Sequence, residues 1–265
     1  MAGRAEGELV LVYVPKEVFQ NCVMAAGWVA KVAQRYHSTG LNADPDAAKR
    51  MVGYYTQFSP AIGKDILEIG PGQTFEVLEQ ALAKGAKSCS AVDVVEYVAR
   101  ERAKKSGIDY RIYQGKELPF ATAQFDLIWS STAFEHLRYP DVTVDECFRV
   151  LRPGGLLIAQ IDLGDHSFYP NPDPRRLFEG LKYPTWLWNL MKWNRSSYVN
   201  RLRKSDWLRL VTSAGFRVTH CQASENEEIL RLLPQLTYLH SYSREDAITS
   251  VIFLCAEKPR QEVKT

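Results

Sequence analysis

The residues best suited to chemistry lie in one short segment, where an acidic residue precedes two glycines. Glu68 and Ile69 end a short apolar run and are followed by Gly70, Pro71 and Gly72. Glycine lets the backbone turn tightly and approach a ligand closely. Ligands of open α/β sheets bind where such a strand meets the following turn. The sequence therefore predicts a cofactor site at this turn.

Two features distinguish the cofactors that such a turn could bind. A dinucleotide site uses a third glycine for close helix–strand packing, whereas this chain has Phe75 there. The Glu68 carboxylate would repel a pyrophosphate, but it suits the cationic ammonium group of S-adenosylmethionine. Asp93, at the end of the next apolar run, can accept hydrogen bonds from ribose hydroxyls, which both cofactors have. We therefore expect S-adenosylmethionine, with an NAD-dependent oxidoreductase as the alternative.

The elements around this turn follow the pattern of a buried sheet. Short apolar runs alternate with helical patterns, and they predict strands at 65–69, 88–94, 109–113, 125–130, 156–161, 216–222 and 248–257. Continuous apolar strands separated by helices are typical of sheets that are covered on both faces. The sequence predicts an α/β, Rossmann-like, doubly wound seven-stranded sheet that is mostly parallel, with an antiparallel edge strand.

Two segments depart from this alternation. Residues 1–63 predict an N-terminal helical preface or cap, and residues 64–265 form the α/β domain. Within this domain, residues at about 163–204 form a lid-like insertion that is rich in proline and aromatic residues. Connections of this length in compact domains are usually functional.

Several segments in order along the chain resemble the class I S-adenosylmethionine-dependent methyltransferases of the type 11 group. LEIGPG at residues 67–72 resembles the first motif of the family, and residues 125–131 and 149–155 resemble motifs around its fourth and fifth strands. The resemblance covers about residues 64–162. It implies S-adenosylmethionine as cofactor and S-adenosylhomocysteine as product.

The resemblance also assigns the residues that hold the cofactor. Residues 114–120 correspond to the segment that contacts adenine, although Lys116 stands where the family has aspartate, so Glu117 or backbone amides would substitute. The implied cofactor-binding residues are Glu68, Gly70, Pro71, Gly72, Asp93, Val94, Lys116, Glu117, Ser130 and Ser131.

A wider pattern is similar to methyltransferases found among bacterial surface-polysaccharide genes. It adds Asp165-His166, residues 200–203 and residues 214–216 to the first motif. This similarity implies a sugar-like or nucleotide-linked acceptor. The Asn/Asp-Pro-Pro-Tyr segment of many enzymes that methylate exocyclic nitrogens is missing after the fourth strand, where residues 130–134 read SSTAF. Both observations favour a hydroxyl of a sugar or natural-product-like compound, or a small-molecule amine.

Methylation of a hydroxyl needs a base near neutral pKa that removes the proton. His166 is the first candidate because it follows the fifth strand, with Asp165 beside it, and His136 after the fourth strand is the second. A purely structural role is the alternative for each histidine. Asp162, Asp165 and His166 could also bind a divalent cation, but the metal-ligand spacing is incomplete and we predict no metal site.

Basic and aromatic residues of the insertion are candidates for binding the acceptor. Arg201 and Arg203 could hold a carboxylate or phosphate through two parallel hydrogen bonds, and Tyr198 could contact a ring. The alternatives are a solvated helix face for the arginines and the core of the lid for the tyrosine.

Composition limits the partners of the chain. A net charge of +2 over 265 residues gives no support for nucleic acid or an anionic membrane as partner. The chain has no signal-peptide pattern and no apolar run long enough to cross a membrane, and its five scattered cysteines fit reduced thiols. We expect a cytoplasmic enzyme with a small-molecule acceptor, anionic or sugar-linked, and make no prediction of oligomeric state. The alternative is a noncatalytic methyltransferase-like binding subunit.

Overall fold

A computed structural model describes residues 2–26, 28–29, 46–165, 178–195 and 197–260. The described residues form two compact units. The first unit draws on Met1–His37, Gly164–Arg201 and Asn226–Ile248, and the second on Ser38–Leu163, Leu202–Glu225 and Thr249–Thr265. The predicted preface is therefore shared between the units, and the predicted insertion lies mostly in the first.

The second unit contains a seven-stranded sheet. Its strands are β1 (Asp65–Ile69), β2 (Ser88–Asp93), β3 (Ile108–Ile112), β4 (Phe125–Ser131), β5 (Leu151–Asp162), β6 (Arg217–Glu225) and β7 (Thr249–Glu257). Their order is β3-β2-β1-β4-β5-β7-β6. Strands β1 to β5 pair in parallel, whereas β7 runs antiparallel to both of its neighbours. The predicted sheet is confirmed, and its antiparallel strand lies between β5 and the edge strand β6.

Helices cover both faces of this sheet. The helices of the second unit are α2 (Ala47–Thr56), α3 (Glu76–Ala83), α4 (Arg100–Lys105), α5 (Pro140–Val150) and α7 (Lys204–Ser213). Neighbouring residues of a strand point to opposite faces, so Ile66 packs with Val52 and Leu78 while Leu67 packs with Val144 and Trp207. Burial on both faces explains why the strands read as continuous apolar runs.

The first unit is helical in its described part. It contains α1 (Ala2–Met24), α6 (Thr185–Lys192), α8 (Ile229–Leu232) and α9 (Arg244–Ile248). Its short helix α8 follows β6, which ends at Glu225. No helix among the described residues combines the length and apolar character that crossing a membrane requires.

A buried ion pair joins the two longest helices of the first unit. Lys192 Nζ lies 2.6 Å from the Glu17 carboxylate, which also binds Arg195 at 3.0 Å. Asn21 adds a hydrogen bond from its side-chain amide to the Leu190 carbonyl at 2.9 Å. The polar residues of α1 therefore attach it to α6, and the N-terminal helix is an integral part of this unit.

Candidate functional site

The glycine turn between β1 and α3 adopts a backbone conformation that favours glycine. Gly70 has φ +74° and Gly72 has φ +68°, in the left-handed region that side chains disfavour. A Cβ atom at Gly70 would collide with the Cβ of Ala133, which follows β4. The Gly70 amide donates to the Val92 carbonyl at 2.9 Å, so the turn is fixed on both sides. Pro71, between the glycines, is buried.

Glu68 is a buried carboxylate on β1, directly before this turn. Its side chain is 3% exposed, and its Oε2 atom has no hydrogen-bond partner among the described residues. Burial, together with the nearby charge of Asp93, raises the pKa of Glu68 to about 8. Buried polar atoms are nearly always hydrogen-bonded, so this oxygen is suited to accept a donor from a ligand.

Asp93 ends β2 beside this carboxylate. Burial raises the pKa of Asp93 to about 7, although the amides of Val94, Val95 and Gly72 donate to the carboxylate and oppose the shift. The Val94 amide lies 2.7 Å from Oδ1. Because β1 and β2 pair in parallel, with Ile69 opposite Val92, their carboxyl ends bring Glu68 and Asp93 together.

The predicted adenine segment lies at the ends of β2 and β3. Gly115 has φ +74°, and a Cβ there would lie 3.7 Å from Val94 Cγ1. The Gly115 backbone and the apolar Val94 side chain are therefore neighbours. Lys116 and Glu117 are exposed. The Lys116 ammonium lies 4.8 Å from the centre of the Tyr139 ring. The wall that could contact a base is therefore formed by Val94 and Gly115.

The two serines that end β4 differ in their surroundings. Ser130 is fully buried, and its hydroxyl donates to the Ile69 carbonyl at 3.0 Å. It therefore ties the end of β4 to the end of β1. Ser131 is half-buried and lies beside the Tyr55 phenol.

Tyr55 is a residue of this site that sequence reasoning missed. It is 1% exposed, stacks on Trp129 with ring centres 4.8 Å apart, and lies close enough to Glu68 for the carboxylate to raise its pKa. The spacing of Ala48, Val52 and Tyr55 gives α2 an apolar face, and this was the available signal.

The candidate bases lie in different parts of the chain. His136 is half-buried in a 3₁₀ turn after β4, where its amide donates to the Ala133 carbonyl at 3.1 Å. His166 lies outside the described residues. Asp165 is buried in the first unit, and its Oδ2 accepts a hydrogen bond from the Gly180 amide at 3.0 Å. No group of side chains suited to hold a metal ion occurs in the described ranges.

Both predicted acceptor-binding arginines are buried, so the alternative of a solvated helix face is wrong. Arg203 is fully buried, and it donates to the Leu163 carbonyl at 2.9 Å and to the Thr249 carbonyl. Its guanidinium serves the protein's own backbone, and we do not include it among the groups proposed to bind an acceptor. Tyr198 is buried and packs edge-on against Trp193 at 5.4 Å, as expected for a residue of a core.

Arg201 belongs to the first unit. Its Nη1 donates to the carbonyls of Gly180 and Tyr183 at 3.1 and 2.7 Å, and its Nη2 donates to the Thr185 hydroxyl at 2.8 Å. Its backbone has φ +64°, which is uncommon for a residue with a side chain.

Comparison with known proteins finds a family match for part of the second unit. Residues 67–159 match the family described as Methyltransferase domain, a range that includes Glu68, the glycine turn and Asp93. A structure of an S-adenosylmethionine-dependent methyltransferase from Mesorhizobium loti has a TM-score of 0.55 and 19% identity, covering 80% of this chain and 99% of that chain. This likeness supports the fold.

Two curated relatives are similar over longer stretches. The ubiquinone/menaquinone biosynthesis C-methyltransferase UbiE of Roseobacter denitrificans is 26% identical over 202 residues, covering 69% of this chain and 75% of its own. A ubiquinone biosynthesis O-methyltransferase of Rhizobium etli is 31% identical over 154 residues, covering 54% of this chain. The chain spans 61% of the length of that relative.

Replacing Gly70 with alanine should weaken the binding of S-adenosylhomocysteine by about tenfold or more, which calorimetric titration measures. The new Cβ would collide with Ala133 and hold the backbone in a strained region. The double change Gly70→Ala with Ala133→Gly removes the collision and should recover part of the affinity. Gly53→Ala is the control, because its Cβ would meet nothing within 4 Å. Unchanged affinity in Gly70→Ala would remove this turn from the cofactor site.

The affinity for S-adenosylhomocysteine should rise as the pH rises through the pKa values of Asp93 and Glu68, about 7 and about 8. Below these values the carboxyls hold protons that must leave before they can pair with an ammonium or accept from ribose hydroxyls. Each proton released makes the affinity change by up to about tenfold per pH unit.

Calorimetry in two buffers of different ionisation enthalpy counts these protons, and Glu68→Gln should reduce the count. Without a ligand, the free energy of unfolding should fall as the pH rises towards the pKa values of Asp93 and Glu68. The reason is that the folded state binds more protons than the unfolded state over this range. An affinity independent of pH with no proton release would contradict the assignment of the two carboxylates.

Proposed function

We propose that this protein is a class I S-adenosylmethionine-dependent enzyme that methylates a small-molecule acceptor, a proposal supported by the match of residues 67–159 to a methyltransferase domain. The methylated position is a hydroxyl of a sugar or natural-product-like compound. The observation that carries the proposal is the Glu68 carboxylate, buried with an unpartnered oxygen beside Asp93 at the carboxyl ends of β1 and β2.

The residues of this site fit S-adenosylmethionine. Glu68 offers a buried acceptor to the ammonium group of the methionine moiety, and Asp93 offers oxygens to the ribose hydroxyls. The lack of a side chain at Gly70 lets the turn pack against Ala133, and Val94 with Gly115 provides a wall for adenine. NAD would bring a pyrophosphate to the same turn, where the Glu68 charge would repel it.

When bound, the cofactor supplies a methyl group that is already activated for transfer. The tasks left to this chain are to align the acceptor hydroxyl, to exclude water and to remove one proton. A ring nitrogen of His166 accepts that proton in our proposal, and His136 is the second candidate. Asp165, the residue before the first candidate in sequence, accepts a hydrogen bond from the Gly180 amide through its Oδ2.

The named relatives support a small organic acceptor. One of them is called a C-methyltransferase and the other an O-methyltransferase, so their names favour neither atom alone. The proposal that oxygen is the methylated atom rests on residues 130–134. They lack the Asn/Asp-Pro-Pro-Tyr segment found in many enzymes that methylate exocyclic nitrogens. An oxygen acceptor also gives a role to a histidine base.

Calorimetric titration with S-adenosylhomocysteine, with NAD as the control, tests the cofactor. We expect binding of the former alone, and a loss of at least about tenfold in Asp93→Ala. Radiolabelled S-adenosylmethionine with sugars, nucleotide-linked sugars and phenols then tests transfer. Binding of NAD instead would overturn the proposal. Binding without transfer to any acceptor would favour a noncatalytic subunit, for which the exposed Lys116 in the adenine segment is the supporting observation.

Substitution of the catalytic base should separate turnover from cofactor binding. His166→Ala should lower turnover by about 10²–10⁴-fold and leave the affinity for S-adenosylhomocysteine unchanged. His136→Ala should have this effect if the second candidate is the base. His220→Ala is the control, because His220 is an exposed residue of β6 that packs on Phe58. Full turnover in both candidate variants would exclude a histidine base.

A further inference from the structure

A buried cation of the first unit, Arg201, has no carboxylate partner among the residues that the structure describes. Arg201 is 6% exposed, and its contacts in the described part of the chain are two backbone carbonyls, one hydroxyl and aromatic rings. Burying a charge is costly unless a group of opposite charge compensates it. The same unit provides such a group for Lys192, which binds Glu17. Among the described residues, Arg201 therefore lacks the opposite charge that would compensate its burial.

The hydrogen bonds of Arg201 leave part of its guanidinium unused. A guanidinium has five N–H donors, and three of them are given to Gly180, Tyr183 and Thr185. Its Nε is buried and has no partner among the described residues. The Nε donor and the second donor of Nη2 remain, and paired donors of a planar guanidinium match the oxygens of a carboxylate or phosphate.

Aromatic rings shape the surroundings of this cation. The guanidinium lies 4.3 Å from the centre of the Tyr238 ring and 5.8 Å from that of Trp188. Such faces stabilise a buried cation, but they accept no hydrogen bond from Nε in this structure. The rings thus hold the guanidinium in place without using its remaining donors.

The guanidinium of Arg201 lies next to the N-terminus of α6, which also carries positive charge. Nη2 binds Thr185, the exposed first residue of α6. Helix N-termini carry a positive partial charge, which disfavours a cation and favours an anion. Both the guanidinium and the helix would be stabilised by an anion bound here, and the exposure of Thr185 places this end of the guanidinium near the surface of the unit.

Gly180 connects this cation to Asp165. Its carbonyl accepts from Arg201, and its amide donates to Asp165 Oδ2. A Cβ at Gly180 would lie 3.0 Å from Trp188 and 3.2 Å from Asp165 Oδ2, so a side chain there would force these neighbours to shift. The arginine and the aspartate therefore lie on two sides of one residue, within one unit.

We propose that Arg201 anchors an anionic group of the acceptor, a carboxylate or a phosphate, through Nε and the remaining donor of Nη2. The inference rests on the proposed function for the identity of the ligand as the acceptor. It narrows the acceptor class to hydroxyl compounds that carry an oxyanion.

Inorganic phosphate and acetate are the probes, each titrated into the full chain at constant ionic strength, with chloride as the reference. We expect saturable binding of at least one probe, and the comparison of the two distinguishes phosphate from carboxylate. Arg201→Lys keeps the charge but loses the planar pair of donors, so the affinity should fall by about tenfold or more. Arg209→Lys is the matched control, since the Arg209 side chain is 69% exposed on α7.

A second measurement needs no variant and covers the case in which Arg201→Lys does not fold. The buried Nε–H of Arg201 should give a side-chain ¹H–¹⁵N signal protected from exchange, and the signal should shift when the probe binds. Binding of neither probe to the wild-type chain, unchanged affinity in folded Arg201→Lys, or an unshifted protected signal would each overturn the proposal. Titration of the same samples with S-adenosylhomocysteine reports on the proposed function separately.

Discussion

The parallel pairing of β1 with both β2 and β4 is the constraint on which the cofactor site depends. The end of β1 is tied to β2 by the hydrogen bond from Gly70 to Val92, and to β4 by the hydrogen bond from Ser130 to Ile69. Ala133 then fills the space that a side chain at position 70 would need. The protein's own contacts thus hold the turn from two directions, which preorganises it for the proposed cofactor.

Strand β1 contains two acidic residues that illustrate how surroundings decide a role. Burial opposes ionisation of Asp65, but Ser88, Lys87 and Arg152 bind its carboxylate and keep its pKa below the usual range. Glu68, three residues along the same strand, has no such donors on Oε2, and burial raises its pKa. The first carboxylate is neutralised within the protein and stabilises the amino end of the sheet. The second, at the carboxyl end, is the carboxylate that we propose to bind a ligand.

The sequence predicts those parts of the protein that depend on local patterns. The β1 turn, the buried strands and the proximity of Glu68 to Asp93 follow from apolar runs, glycine spacing and parallel pairing. Burial of Arg201 and Arg203 could not be predicted, because arginine is usually exposed and the partners of both are backbone carbonyls distant in sequence. Tyr55 was missed for a related reason: its helix was assigned to a preface, whereas it packs on the sheet at Trp129.

The charges of the first unit show that the isolation of Arg201 is not caused by a shortage of carboxylates. Glu17 binds two cations, Lys192 and Arg195, and Glu179 pairs with Lys182. Arg201 nevertheless has three neutral acceptors and aromatic faces as its contacts. Glu68 in the second unit is a buried acid whose pKa is raised and whose Oε2 has no partner among the described residues. The two proposals therefore give each unit one buried ionisable group that pairs with a ligand, Glu68 with a cationic group and Arg201 with an anionic group.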